Sequence, residues 1–271
     1  MSAILTFSNA NPLRMVITSW LNRNANDREY QFFREFSKPG FDSFFQPFLN
    51  TDILTVQFDS SFDTTNVVKL RNYYTDVVIN TGAAIEIDDR TTYKVWEKAI
   101  SISGFDGLYY VEITGTDADT ETYTARSEPI EIRPSMCETV KIEYYNDDSA
   151  FGIDYENSSV QFDLRVPAFF RRTADTVDYE PFNDSGGNRS IISAAGTKTR
   201  ILKASQLIPQ WLIEKVNIAL MHDNCEIDDV SVSANQMWPY EVVSDRQLWA
   251  EPDIAIILAS GSSAYMNIHK N

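Results

Sequence analysis

Between residues 140 and 145 polar and apolar side chains alternate strictly, with Val140, Ile142 and Tyr144 on one face and Lys141 and Glu143 on the other. Period-two alternation of β-branched and aromatic residues predicts a half-buried strand. Residues 127–133 repeat the pattern with Ile130 and Ile132 on one face, and Pro134 and Ser135 separate the two runs. Proline offers no N–H to a ladder and fixes φ. The stretch therefore reads as the last strand of one β unit, a short hinge that sets an angle, and the first strand of another.

Ahead of the hinge, residues 13–20 (LRMVITSW) predict an opening strand. From residue 52 short apolar runs recur at 53–58, 67–70, 77–79, 84–87, 93–96 and 108–113, with polar or glycine-containing turns between them. Short strands at this spacing predict a β-sandwich or barrel. Between these segments lies a phenylalanine cluster: Phe32, Phe33, Phe36, Phe41, Phe44, Phe45 and Phe48, broken by Pro39, Gly40 and Pro47. Its spacing fits neither helix nor strand throughout. The plainer reading plugs it into the chain's own core. The sharper one makes it an arm whose aromatics anchor a neighbouring subunit.

Behind the hinge, residues 160–166 (VQFDLRV) alternate clearly until Pro167. Residues 171–189 are polar and turn-rich, and Gly186-Gly187 lacks the spacing, the lysine and the strand-to-helix setting of a phosphate loop. That segment reads as a long hairpin tip or a contact loop. Strands are expected at 150–155, 189–193, 199–203, 240–243 and 254–258, the last nearly all apolar and so central in its sheet. Residues 209–221 predict one amphipathic helix, with Pro209 in the first turn and Leu212, Val216, Ala219 and Leu220 on one face. Glu214, Lys215 and Asn217 fall on its polar side. A hairpin follows, with Cys225 to Ile227 turning at Asp228-Asp229 into 230–233. Residues 260–271 read as a tail.

Composition sharpens this picture. Aromatic and β-branched residues outweigh Ala and Leu, which favours strands. The formal charge of -16 opposes direct nucleic-acid binding, because phosphates demand a basic face. Arg165, Arg171 and Arg172 offer at most a small local basic patch. No membrane span and no signal peptide are read in the chain. Cys137 and Cys225 stand far apart, so free thiols and manufacture inside a cell are expected.

Catalytic parts are scarce. His222 and His269 are the two histidines; the first falls at a helix end, where capping or solvation explains it more simply than a triad does. The pairs Asp88-Asp89, Asp147-Asp148 and Asp228-Asp229 fit turns better than a hydrolytic cleft. Asp117, Asp119 and Glu121 fall short of a calcium loop. No enzyme, cofactor or metal is expected.

Several stretches carry a resemblance: YTARSEPIEIR (123–133), CETVKIEYYNDDSAFGIDY (137–155), IPQWLIEKVNIALMHDNCEIDDVSV (208–232) and FFQPFLNTDILTVQF (44–58). In this order they resemble virion proteins of tailed phages and prophages of Bacteroidota, including crAss-like phages, over about residues 44–257. Such proteins often carry glycine where this chain has Asp229. The resemblance implies a mainly β fold: an N-terminal strand and Phe-rich arm (1–50), an Ig-like β-sandwich (51–134), an α+β domain of antiparallel strands with the helix (135–259), and the tail. It also implies a structural role at the tail or head–tail connection. The partners would be further copies and other virion proteins, in a particle made in the host cytoplasm. Candidate assembly contacts are Phe41, Phe44, Phe45, Phe48, Gly186 and Gly187. The alternative is a carbohydrate- or receptor-binding sandwich for host attachment, with Trp238 and Tyr240 as stacking residues.

Overall fold

A computed structural model describes residues 5–18, 44–61, 65–116, 122–158, 160–172, 176–183, 189–197, 199–233, 249–250 and 253–258. The protein is mainly β, with one α-helix among the described residues. In chain order the first half forms β1 (Leu5–Phe7), β2 (Met15–Ile17), β3 (Gln46–Leu49), β4 (Ile53–Ser60), β5 (Thr65–Asn72) and β6 (Val78–Ala83). It continues with β7 (Ile85–Arg90), β8 (Tyr93–Ser101), β9 (Gly107–Thr116), β10 (Thr122–Ser127) and β11 (Ile130–Arg133).

These strands make two sheets. One runs β1-β4-β8-β7; the other runs β2-β10-β9-β11-β3, with β5 also paired to β9 and β6 to β5. Inward residues of both sheets share a core: Leu54, Val56, Phe58 and Ile100 from the first meet Val68, Leu70, Val111, Ile113, Ile130 and Ile132 from the second. Alternation along each strand puts one face into this layer, the arrangement of a sandwich. The N-terminal segments belong to it as well. Leu5, Leu13 and Phe48 are buried in this core, and β3 pairs parallel to β11.

Two readings of the first half need correction. The run 127–133 is two strands, because Glu128 and Pro129 interrupt it and the Glu128 carboxylate takes the Arg14 N–H in place of a ladder partner. The opening strand begins at Leu5 and is separate from β2, since Asn11, Pro12 and Leu13 turn the chain between sheets.

The second half forms β12 (Val140–Tyr145), β13 (Phe162–Val166), β14 (Ala168–Arg172), β15 (Thr176–Asn183), β16 (Arg189–Thr197), β17 (Thr199–Ala204) and β18 (Ile208–Pro209). After the helix α1 (Gln210–Leu220) come β19 (Asn224–Ile227), β20 (Val230–Ser233), β21 (Trp249–Ala250) and β22 (Asp253–Leu258). Seven of these build one sheet in the order β13-β12-β19-β20-β22-β17-β14, so β22 is an interior strand as its apolar run predicts. Residues 171–189 are not turn-rich throughout. β15 and β16 form their own antiparallel hairpin there, and Gly196 pairs with Val177 inside it. Residues 150–155 form a tight turn with a single bridge, Ala150 to Ile153.

Helix α1 starts where Pro209, extended at φ -70°, cannot continue a helix backwards. Its apolar stripe packs against β12, burying Leu212, Ile213, Val216, Ala219 and Leu220 beside Val140, Ile142, Tyr144, Phe162 and Leu164. Each fully buried Leu or Ile of this kind stabilises the fold by about 1.5–3 kcal/mol. Lys215 and Asn217 are buried too, contrary to the helical-wheel reading; the N-terminal segment covers Lys215, whose ammonium donates to the Asn11 carbonyl.

The β19–β20 hairpin turns through Asp228 and Asp229 at φ 48° and 62°. Consecutive left-handed residues match the right-handed twist of the flanking strands. Asp228 fits because its carboxylate accepts the Lys141 N–H at 2.9 Å, continuing the β12–β19 ladder by one rung. Asp229 makes no comparable bond. Asp229→Gly is expected to stabilise the protein by about 0.5 kcal/mol, read as a higher urea midpoint at unchanged slope.

Candidate assembly surfaces and the seam between the two halves

Three regions compete as the functional surface: the seam between the halves, a cleft beside the hinge, and an exposed edge of the sandwich.

The seam follows from strands that are polar on one face yet buried on both. On β13, Phe162, Leu164 and Val166 enter the second core, while Asp163 and Arg165 are also buried, facing the sandwich. Arg165 therefore belongs to no surface basic patch. Its guanidinium grips Asp52 through two hydrogen bonds of 2.7 and 2.8 Å, and Asp52 also accepts the Leu49 N–H at 2.8 Å. Asp163 accepts the Ile53 N–H at 3.1 Å, and burial raises its pKa.

One layer along, side-chain amides imitate a β ladder. Asn11 donates to the Gln57 carbonyl and accepts from its N–H, both at 2.8 Å. Gln57 in turn accepts the Asp154 N–H at 2.7 Å and donates to its carbonyl at 3.0 Å. The Asp154 carboxylate holds Arg90 at 3.1 Å and caps Asn157, and those hydrogen bonds lower its pKa despite the desolvation that opposes them. From the helix, the Lys215 ammonium donates to the Asn11 carbonyl. Tyr144 donates to the Ala10 carbonyl at 2.6 Å, so residues 8–14 are wedged between the two cores.

Burial pushes Lys215 down to about 8, with Glu128 the opposing charge that partly restores it. Burial likewise raises Glu128. These buried polar contacts join the two halves across the seam.

His222 is buried, not solvated. Its ring lies among Tyr144, Phe151 and Tyr155, with centroids 4.8, 4.7 and 5.8 Å away. A carbonyl can only accept, so Nδ1–H donates to Ile218 at 2.7 Å and Nε2 accepts the Tyr155 hydroxyl at 2.8 Å. Burial lowers its pKa, which favours the neutral ring. Cys225 is pushed up to about 12 by burial and stays a thiol. The ring is thus held in a packed aromatic box.

The cleft beside the hinge holds about 380 Å³. Phe45 and Pro47 line one side, Met136, Cys137 and Glu138 of the linker another, and Pro167 and Ser205 the third. Its walls are mostly polar, and Arg133 is already held by Glu131 at 2.7 Å.

Of the candidate contacts, Phe48 is 0% exposed and cannot reach a neighbouring copy. Phe44 packs edge-on against Trp211 at 5.8 Å, tying the segment before β3 to the helix. Phe45 packs edge-on against Tyr73 at 6.0 Å, and Tyr73 against Tyr74 at 5.3 Å. Phe41, Gly186 and Gly187 lie outside the described residues, as do Trp238 and Tyr240.

The third region was not singled out in the sequence. Five of the eleven exposed large hydrophobic side chains among the described residues fall between positions 74 and 85: Tyr74, Val77, Val78, Ile79 and Ile85. They sit on and beside β6 and β7, which end their respective sheets and are joined only by Ala84. The signal was available as an uncharged run from residue 77 to 85, but an apolar run reads as core until its neighbours are known.

No family model, curated protein or solved structure matches this chain. The functional reading therefore rests on the geometry above together with the sequence resemblance at residues 44–58, 123–133, 137–155 and 208–232. Among the described residues, no group of three or more His, Cys, Asp or Glu side chains is placed to hold a metal ion.

Proposed function

We propose that this chain is a structural component of a tailed bacteriophage particle, assembling through its β units into an oligomeric ring or collar of the tail or head–tail connection. The observation that carries the reading is the seam. Two β units are joined through a buried ion pair and a relay of backbone-mimicking amides, which makes one stiff body out of two sheet systems. A ring built from many copies multiplies any angular error between units, so a subunit with a fixed internal angle suits that task. Aromatic and aliphatic groups left on the surface at residues 74–85 supply a place for contacts.

We also infer an immunoglobulin-like topology for the sandwich. Taking β1, β4, β5, β7, β8, β9 and β10 as strands A to G, one sheet runs A-B-E-D and the other contains C-F-G. That is the order of a constant-type immunoglobulin domain, with β6 added beside C. The inter-sheet disulfide of antibody domains has no counterpart, since both cysteines lie after residue 134.

The test is particle composition. Mass spectrometry of purified particles from the phage or induced prophage encoding this chain is expected to find it at fixed stoichiometry with other virion proteins. Its absence from particles, with the chain recovered only in the soluble lysate, would overturn the proposal.

A further inference from the structure

We propose that the free edge of β6 is a self-association site, where a second copy of this chain pairs antiparallel with it about a two-fold axis. The inference deepens the self-assembly part of the proposed function and rests on it, but it concerns one surface and its partner.

β6 hydrogen-bonds to β5 on one side, and among the described residues its other side carries no strand partner. Exposed edges are normally guarded, because unpaired N–H and carbonyl groups recruit foreign strands. The neighbouring edge β7 is guarded by the charged residues Glu86, Asp88, Asp89 and Arg90. β6 has no charged residue, and the uncharged run extends from 77 to 85. Its one irregularity lies opposite Leu70 and Arg71 and leaves Ile79 as the extra, exposed residue.

The edge is self-complementary. Pairing two copies about Thr81 keeps each facing pair on one side of the sheet and sets Ile79 opposite Ala83 and Asn80 opposite Gly82. The exposed Ile79 then meets the small Ala83 on the same face and is covered without a clash. Gly82 keeps its inner side narrow because the Lys98 ammonium lies 2.7 Å from where a Cβ would stand. Anchored beyond the strand, Val77 and Tyr74, 55% and 73% exposed, continue the apolar surface.

Net charge sets how this pairing responds to salt. A chain at -16 repels its own copies wherever charge faces charge, and least where the surface is neutral. Screening that repulsion with salt therefore strengthens β6 pairing, whereas a contact based on opposite charges would weaken. Six residues span about 20 Å, which covers less than a standard interface, so the solution dimer is weak and concentration-dependent. It becomes firm when many copies are held together.

Sedimentation velocity on the full chain across a wide concentration range, at low and high salt, tests this. The expected result is a reversible dimer that tightens with salt. Ile79→Lys and Thr81→Lys should each weaken it by roughly tenfold or more. Phe169→Lys, on the exposed face of β14, is the control that should leave it unchanged. Circular dichroism and thermal melts confirm that each variant folds, and Thr81→Lys, at an exposed polar position, stays informative should Ile79→Lys misfold. Dimerisation that ignores both β6 variants sinks this inference and leaves self-assembly standing through another surface. A strict monomer at all concentrations and salts overturns both.

Discussion

Arg165→Met is expected to destabilise the protein by about 3–5 kcal/mol, among the largest single-residue effects in the molecule. The arginine and its partner Asp52 have side chains only 8% and 3% exposed. Removing the guanidinium leaves the Asp52 carboxylate buried with one backbone N–H from Leu49, and with the Asp163 carboxylate nearby. Methionine fills most of the lost volume, so the loss reports charge and hydrogen bonding and not a cavity. For a chain of this size it lowers the melting temperature by about 10 °C. The double variant Asp52→Asn with Arg165→Met is expected to recover much of it, since the stranded charge is gone. Urea denaturation of the two singles and the double closes the cycle. A single Arg165→Met that unfolds like the parent would mean that the halves are not held by this pair.

The second large effect is Lys215→Met, expected to cost about 3 kcal/mol near neutral pH. The change leaves Glu128 buried without its nearest helix cation and the Asn11 carbonyl without its ammonium donor. Its pH dependence has two parts. In the parent, the Lys215 pKa is depressed from 10.5 to about 8 in the folded state. Between about pH 8 and 10.5 the unfolded chain holds that proton and the folded chain does not, so the parent gains stability with rising pH and the variant lacks this gain. Glu128 moves the other way. Its folded pKa lies above 4.5, so it binds a proton more tightly when folded, and the variant's deficit shrinks as pH falls towards that value. Unfolding curves at pH 5, 7 and 9 check both signs. A deficit that stays constant across this range would show that Lys215 and Glu128 do not titrate through the seam.

Both predictions concern residues that look like surface in a one-dimensional pattern. VQFDLRV alternates as a strand with a wet face should, and β13 does form there, but Asp163 and Arg165 face another protein layer. The same holds for Gln57 in ILTVQF and for Lys215 on the helix. Alternation reports which residues share a face, because side-chain direction is set by local backbone geometry. Whether that face meets water depends on what the rest of the chain brings to it. The buried polar groups are tolerated because partners from distant positions complete them: Asn11 with Gln57, Gln57 with Asp154, Asp52 with Arg165.

The candidate surface was hidden for the converse reason. Val77, Val78 and Ile79 read as an inward strand, and what leaves them exposed is that β6 ends its sheet. Edge or interior position is a property of strand order, which short-range pattern does not encode. Conversely, Phe48 in a segment readable as a protruding arm is wholly buried, because β3 pairs parallel to β11, with β4 to β10 lying between them in the chain.

Local chemistry was therefore enough for the mainly β class, for β12 to the residue, for β22 as an interior strand and for helix α1 within one residue at each end. Periodicity, proline and turn residues act over a few positions and need no partner to be read. The seam, the burial of His222 and Lys215, and the exposed β6 edge came only with the tertiary structure. Each depends on contacts between residues tens to hundreds of positions apart, and the desolvation that gives them their energetics exists only once those residues have met.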